Sequence, residues 1–159
     1  MGKVWQFTAV DTHTRWAVVQ LITGDKTAAA AAAFLDLVIK RLDDLDVTVS
    51  GVLTDRGPEF VGRDFTGHTD LLEVTHHKTP PRSPNHNAVC ERFHGTVLHE
   101  FFRVAFHREF FTTLDQLDRQ LQTWIHHYNH RRTNRSDYMR GRSPLQVLHQ
   151  HQTTISDLA

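Results

Sequence analysis

The sequence predicts an α/β domain, because strand-like and helix-like segments alternate along its 159 residues. Two runs rich in β-branched and aromatic residues, 4–10 and 16–23, flank a short polar turn and predict a hairpin. The alanine-rich segment 27–42 repeats apolar residues at helical spacing. A third β-branched run, 47–54, follows this helix and completes a strand, helix, strand order.

The second half of the chain is predicted to be mainly helical. A Gly/Pro loop follows residue 54, and residues 71–76 are a further short strand candidate. Residues 77–87 contain three prolines and no apolar periodicity, which predicts a connecting segment. Helical spacing then resumes and predicts a helix over about 88–106.

Two capping boxes mark the starts of the last two helices. Thr113 is followed three residues later by Gln116, ahead of an amphipathic stripe. Ser143 and Gln146 repeat this spacing, with Pro144 at the first helical position, and predict a short last helix. We therefore expect one domain over residues 1–159, with a helical C-terminal part from about 107.

The composition favours a soluble cytoplasmic protein. Hydrophobic residues make up 39% of the chain, enough for a single core. The one cysteine, Cys90, excludes an internal disulfide framework and is expected to be a small packing residue. The chain lacks both an apolar run long enough for a membrane span and the layout of a signal peptide.

Charge is unevenly distributed, although the formal net charge is zero. Residues 1–75 contain 7 Lys and Arg against 11 Asp and Glu, whereas residues 76–142 contain 11 against 6. The basic half also holds most of the histidines. Such a half suits a polyanion such as DNA, although a solvated basic face explains the charge equally well.

Two acids are candidates for chemistry. Asp55 follows an apolar run and precedes a glycine loop, the position at which open α/β sheets place ligands. Glu91 lies near the start of a predicted helix, and thirty-five residues separate the two acids. Converging carboxylates need a bound cation or a raised pKa, and oxygen ligands suit Mg²⁺ or Mn²⁺. On spacing alone, a turn role for Asp55 is the stronger interpretation.

Three ordered blocks around these acids carry a family resemblance: LTDRGPEF, SPNHNAVCERFHGTVLHEF and YNHRRTNRSDYMRGRSPLQVL. Together with the acid spacing they resemble the catalytic core of the retroviral-integrase superfamily, especially bacterial insertion-sequence transposases with a D,D-35-E triad. The resemblance implies an RNase H-like fold, a central mixed sheet flanked by helices, and two-metal attack on DNA phosphodiesters with Mg²⁺ or Mn²⁺. It assigns Asp55 and Glu91 as catalytic metal ligands and implies a homo-oligomer acting on transposon ends and target DNA.

The first acid of the triad is expected to be missing, together with its strand. Asp11 precedes a Thr-His-Thr-Arg turn, which resembles the end of the family's second strand rather than the first. We therefore expect Asp11 to be a turn residue and only a weak catalytic candidate. An N-terminally truncated core with two acids predicts weak or no strand transfer by this chain alone.

Six residues are candidates for contacts with DNA. Asn87 and His94 share a helical face with Glu91, and Arg92 follows it as in the family. Arg131, Arg132 and Arg135 belong to an arginine-rich segment that also contains Arg140 and Arg142, and phosphate binding is its functional interpretation. For both groups the alternative is simple surface placement.

Two other functions remain open at this point. A non-catalytic DNA-binding or oligomerising remnant of a transposase would keep the basic segment without the metal chemistry. An RNase H-type nuclease would share the fold, but the arginine-rich block and the Glu91 helix favour a recombinase.

Overall fold

The fold comes from a computed structural model that describes residues 2–80 and 88–158, with only the backbone from 153 onward. The chain alternates strands and helices in its first half and is helical in its second, as the α/β prediction requires. In chain order the elements are β1 (Val4–Val10), β2 (Ala17–Thr23), α1 (Ala28–Asp43), β3 (Gly51–Thr54), α2 (Pro58–Val61), α3 (Arg63–Leu71), β4 (Thr75–Lys78), α4 (Ala88–Val97), a π-helical turn (Leu98–Phe102), α5 (Arg103–Arg108), α6 (Leu114–His130) and α7 (Pro144–Leu158). Within the described ranges, no helix is long and apolar enough to cross a membrane.

The four strands form two small sheets. β1 pairs with β2, and the six residues between them are too few for anything but a hairpin. β3 pairs with β4 in parallel, in a register that runs from Gly51 opposite Thr75 to Thr54 opposite Lys78. This parallel pair needs a crossover connection, which α2 and α3 supply.

Two short helices occupy the segment that was predicted to be a Gly/Pro loop. Pro58 is the first residue of α2, and Phe65 and Thr69 lie one turn apart on the buried face of α3. Glu73 has a φ of 57° and follows the end of α3, where the amide of Val74 bonds to the Thr69 carbonyl at 3.0 Å.

The predicted strand over 71–76 is therefore wrong in its first four residues. Residue 71 ends α3, and the β-sheet pairing begins only at residue 75. The predicted strand over 47–54 shortens in the same way to its last four residues. Apolar residues in a helix end and a turn were mistaken for strand residues.

The chain divides into two compact units, the first formed by Met1–Phe7 with Gln20–Glu91 and the second by Thr8–Val19 with Arg92–Ala159. In the first unit, the predicted alanine-rich helix is confirmed as α1, and Thr27 caps it by accepting a 3.1 Å hydrogen bond from the amide of Ala30. Phe34 of this helix stacks on Phe7 with ring centroids 5.3 Å apart. These buried rings form part of the unit's core.

The second unit contains an aromatic core. Phe93 of α4 is 2% exposed, and its ring meets Tyr128 of α6 edge-on at 5.0 Å. The predicted helix over 88–106 is confirmed, although a π-helical turn interrupts it and α5 extends it to residue 108.

Both predicted capping boxes are present. The hydroxyl of Thr113 accepts from the amide of Gln116 at 3.2 Å, and that of Ser143 accepts from the amide of Gln146 at 3.2 Å. The Gln146 side chain returns a 2.8 Å bond to the Ser143 amide. The last helix has 15 residues and is longer than the short helix predicted.

Asn129 ties α6 to β2 in the second unit. Its side-chain oxygen accepts from the Ala17 amide at 2.8 Å, and its nitrogen donates to the Ala17 carbonyl at 2.9 Å. Asn129 is 4% exposed and Ala17 is 1% exposed, so water cannot replace these bonds. One side chain thus satisfies both backbone groups of a buried strand residue.

Replacing Asn129 by Leu should lower the free energy of unfolding by about 2 to 4 kcal/mol, because two buried backbone groups lose their partners. Urea unfolding followed by circular dichroism measures this change. Gln122→Met is the matched control, since Gln122 of the same helix donates one partly buried bond to the Val19 carbonyl at 3.0 Å. An equal loss in both variants would contradict a special role for Asn129.

Candidate active site

Asp55 is an exposed residue directly after β3, and hydrogen bonds next to it join the ends of β3 and β4. The amide of Thr79 donates to the Thr54 carbonyl at 2.9 Å, and Arg56 Nε donates to the Thr79 carbonyl at 3.0 Å. These bonds fix the direction in which the chain leaves the strand. They place the Asp55 backbone on a rigid sheet end rather than in a free loop.

The buried hydroxyl of Thr54 links the Asp55 backbone to His76. It donates to the Asp55 carbonyl at 2.9 Å and lies 2.7 Å from His76 Nε2. Burial, followed by the charges of Lys78 and His77, lowers the pKa of His76 and favours the neutral ring.

Gly57 holds one oxygen of the Asp55 carboxylate. Its amide donates to Asp55 Oδ1 at 2.8 Å, the bond of an Asx turn. Its φ of −58° is open to any residue. A Cβ at this position, however, would lie 2.8 Å from Glu59 Oε2 and 3.0 Å from Asp55 Oδ1. A larger residue at this position would therefore displace one or both carboxylates.

Glu59 is a buried acid beside this turn. It is 7% exposed, and its Oε1 lies 3.3 Å from the ammonium of Lys26. The ammonium also lies 4.7 Å from the centroid of the Trp5 ring. The sequence alone does not connect Glu59 with Lys26, because nothing in the local pattern links residues so far apart in the chain.

Asp55 and Glu91 both influence the pKa of the Cys90 thiol. Burial raises the pKa of Cys90 to about 11, and the negative charges of Asp55 and then of Glu91 add to this effect. Both acids belong to the first compact unit, although thirty-five residues separate them in the sequence. Both are exposed, whereas Cys90 is partly buried. The sequence predicted only a packing role for Cys90.

Asp55 and Glu91 offer a donor set of two carboxylates. Across residues 2–80 and 88–158, no three His, Cys, Asp or Glu side chains are grouped to hold a metal. Mg²⁺ commonly uses one or two protein carboxylates and completes its shell with water and substrate phosphate. In residue type, two carboxylates match that ligand set for one cation.

Asp11 lies in the turn between β1 and β2, in the second unit. Its Oδ2 accepts from the Thr14 hydroxyl at 2.6 Å and from the Thr14 amide at 3.2 Å. Its Oδ1 accepts from the His13 amide at 3.4 Å. Both oxygens are thus used within the turn.

The arginine-rich segment is divided between tied and exposed side chains. Arg132 forms a two-pronged ion pair with Glu100, with a closest distance of 2.7 Å. Arg142 donates to two backbone carbonyls and to Gln150. Arg131 and Arg135 are exposed and form no side-chain hydrogen bond or ion pair with another described residue.

The remaining candidates for DNA contact lie on or before α4. Arg92 and His94 are exposed residues of this helix. Asn87 lies outside the described residues. The contact roles of all three remain predictions.

Comparison with known proteins identifies the family. A sequence profile described as an integrase core domain matches residues 1–84, and a second profile of the same description matches residues 72–139. A search of curated proteins found no match. Because the first profile covers more than half of the chain, the chain belongs to the integrase core domain family.

Two solved structures share the fold. The catalytic core domain of BIV integrase matches with a TM-score of 0.71 at 21% identity, over 95% of this chain and 89% of that one. An intasome of simian T-cell lymphotropic virus, in complex with the PP2A regulatory subunit B56 gamma, matches with a TM-score of 0.69 at 19% identity. This match covers 93% of this chain but only 52% of that one. The predicted superfamily and its RNase H-like fold are confirmed.

The chemistry of Cys90 offers a direct test of the site. Alkylation of this single thiol at pH 8 should be about a hundredfold slower than that of a thiol with the ordinary pKa, because the raised pKa leaves little thiolate. Asp55→Asn and Glu91→Gln should each speed the reaction, since removing a negative charge lowers the pKa. Mass spectrometry follows the rate.

Asp11→Asn is the control for this measurement, and its alkylation rate should equal that of the unaltered chain. Protein unfolded in urea supplies the reference rate for an accessible thiol. Equal rates for the folded and unfolded chains would contradict the assigned environment of Cys90.

Proposed function

We propose that this chain is the catalytic core of a DNA transposase or integrase, in which Asp55 and Glu91 bind Mg²⁺ or Mn²⁺. The observation that supports this function is a pair of exposed carboxylates in one compact unit, Asp55 directly after β3 and Glu91 in the first turn of α4. Membership of the integrase core domain family supports DNA phosphodiesters as the substrate.

Each acid has a defined part in this proposal. Asp55 uses Oδ1 for the Gly57 amide, and within the described residues no donor reaches Oδ2, which is left for a cation. Glu91 projects from the first turn of α4, a rigid support that limits its motion. A bound divalent cation would neutralise phosphate charge and activate water or a 3′-hydroxyl.

Arg131 and Arg135 are the proposed phosphate contacts. They are exposed, lie between α6 and α7, and are not engaged by another described side chain. Arg132 instead bonds to Glu100, so its contribution to DNA binding would require breaking an ion pair. The simian virus structure is an intasome, and we expect this chain likewise to act on DNA as a homo-oligomer.

A non-catalytic DNA-binding or oligomerising remnant is the second candidate. Arg131 and Arg135 belong to the second unit, whereas Asp55 and Glu91 belong to the first. DNA binding by the arginines therefore does not require the carboxylates. The dependence of DNA cleavage and binding on metal separates the two functions.

Calorimetric titration with Mn²⁺ tests the carboxylates. Asp55→Asn and Glu91→Gln should each weaken binding at least about tenfold, because a charged oxygen ligand is lost. Asp11→Asn is the matched control and should leave the affinity unchanged. Mg²⁺-dependent cleavage of DNA, which we expect to be weak in the unaltered chain because only two acids are assigned, should be lost in the same two variants. Retention of Mn²⁺ affinity in both would refute the proposed site, and metal-independent DNA binding without cleavage would favour the remnant.

Replacing Arg131 and Arg135 together by Ala should weaken DNA binding and reduce the slope of log affinity against log salt by about 2, roughly one counterion per arginine. Fluorescence anisotropy over a range of salt concentrations measures the slope. Arg41→Ala, which removes one exposed arginine of α1, is the control for loss of positive charge elsewhere on the surface. An unchanged slope in the double variant would show that these side chains do not contact phosphate.

A further inference from the structure

A partly buried ion pair lies beside the Asp55 turn. The side chain of Glu59 is 9% exposed and that of Lys26 is 30% exposed, with 3.3 Å between Oε1 and the ammonium. Neither residue belongs to the predicted catalytic set. A pair that is partly shielded from water exerts a stronger field on its neighbours than a fully exposed pair does.

The two oxygens of Glu59 face different groups. Oε1 meets Lys26, whereas Oε2 lies 2.8 Å from the place where Gly57 would carry a Cβ. Asp55 Oδ1 lies 3.0 Å from that same place. The carboxylates of Glu59 and Asp55 therefore flank one glycine, with no side chain between them.

Contact with the Trp5 ring also holds the ammonium of Lys26. Its ammonium lies over Trp5 at 4.7 Å, and Lys3 lies over the same ring at 4.3 Å. The indole nitrogen of Trp5 donates to the Gly24 carbonyl at 2.8 Å, which fixes the ring. Lys26 is thus kept against Glu59 rather than free to reach Asp55.

We propose that Glu59 is a positioning residue that strengthens cation binding at Asp55, and that Lys26 limits this effect. The inference rests on the proposed function, since it concerns the cation at Asp55. Glu59 acts through space and through Gly57, and it is not a ligand. Its negative charge attracts the same cation that Asp55 binds, while the ammonium of Lys26 offsets part of that attraction.

A purely structural role predicts a different outcome. If the pair only anchored the turn, loss of either partner would loosen Asp55 and weaken cation binding in both cases. The electrostatic role predicts opposite changes in cation affinity, because removing Glu59 removes a negative charge and removing Lys26 removes a positive one.

Calorimetric titration with Mn²⁺ at pH 8 decides between these roles. Glu59→Gln, which keeps the size of the side chain, should raise Kd about threefold to tenfold, and Lys26→Met should lower it by a similar factor. The double variant should return to within about twofold of the unaltered chain, because the two charges are removed together. Lys40→Met is the control, since Lys40 pairs with exposed Asp44 on α1.

Weaker binding in both single variants, or no change in either, overturns the inference. If Glu59→Gln does not fold by circular dichroism, Lys26→Met decides alone: tighter binding supports the inference and weaker binding overturns it. The Asp55→Asn variant distinguishes failure of the proposed function from failure of this inference. Full Mn²⁺ affinity in Asp55→Asn overturns both the proposed function and this inference. Loss of Mn²⁺ affinity in Asp55→Asn, without opposite changes in affinity in Glu59→Gln and Lys26→Met, overturns the inference only.

Discussion

The bond between the Thr79 amide and the Thr54 carbonyl closes the parallel pair of β3 and β4, and the candidate site depends on it. Parallel strands cannot be joined by a tight turn, so the chain must cross over through α2 and α3. The crossover begins at the Asp55 turn, which brings Gly57 and Glu59 beside the catalytic candidate. The topology of one short pair thus determines which side chains surround Asp55.

The elements that were predicted correctly have local causes. Thr27, Thr113 and Ser143 cap their helices with bonds to residues three positions away, so a short window of sequence contains the whole signal. The short helices after Asp55 were missed, because a Gly/Pro-rich segment resembles a loop until a buried face is known. Residues 71–76 were predicted to be a strand for a related reason. Apolar residues occur both at the end of a helix and within a strand, and the local sequence does not separate the two cases.

The site was predictable only in part. The spacing of Asp55 and Glu91 gained meaning from the family resemblance, and their common effect on Cys90 required the folded chain. The pair of Lys26 and Glu59 has no local signature, since its members meet through tertiary structure. Counting arginines overstated the basic surface in the same way, because Arg132 and Arg142 are bound to other parts of the protein.

The π-helical turn at Leu98–Phe102 affects how the helix formed by α4 and α5 tolerates a change in length. Such a turn contains one residue more than an α-helical turn and absorbs the extra residue locally. Phe93 before it and Ala105 after it both remain buried. Deletion of one residue within 98–102 can therefore convert the π-helical turn to an α-helical turn without rotating either flank. The helix that carries Glu91 in its first turn thus has a position at which one residue can be lost while its buried face stays aligned.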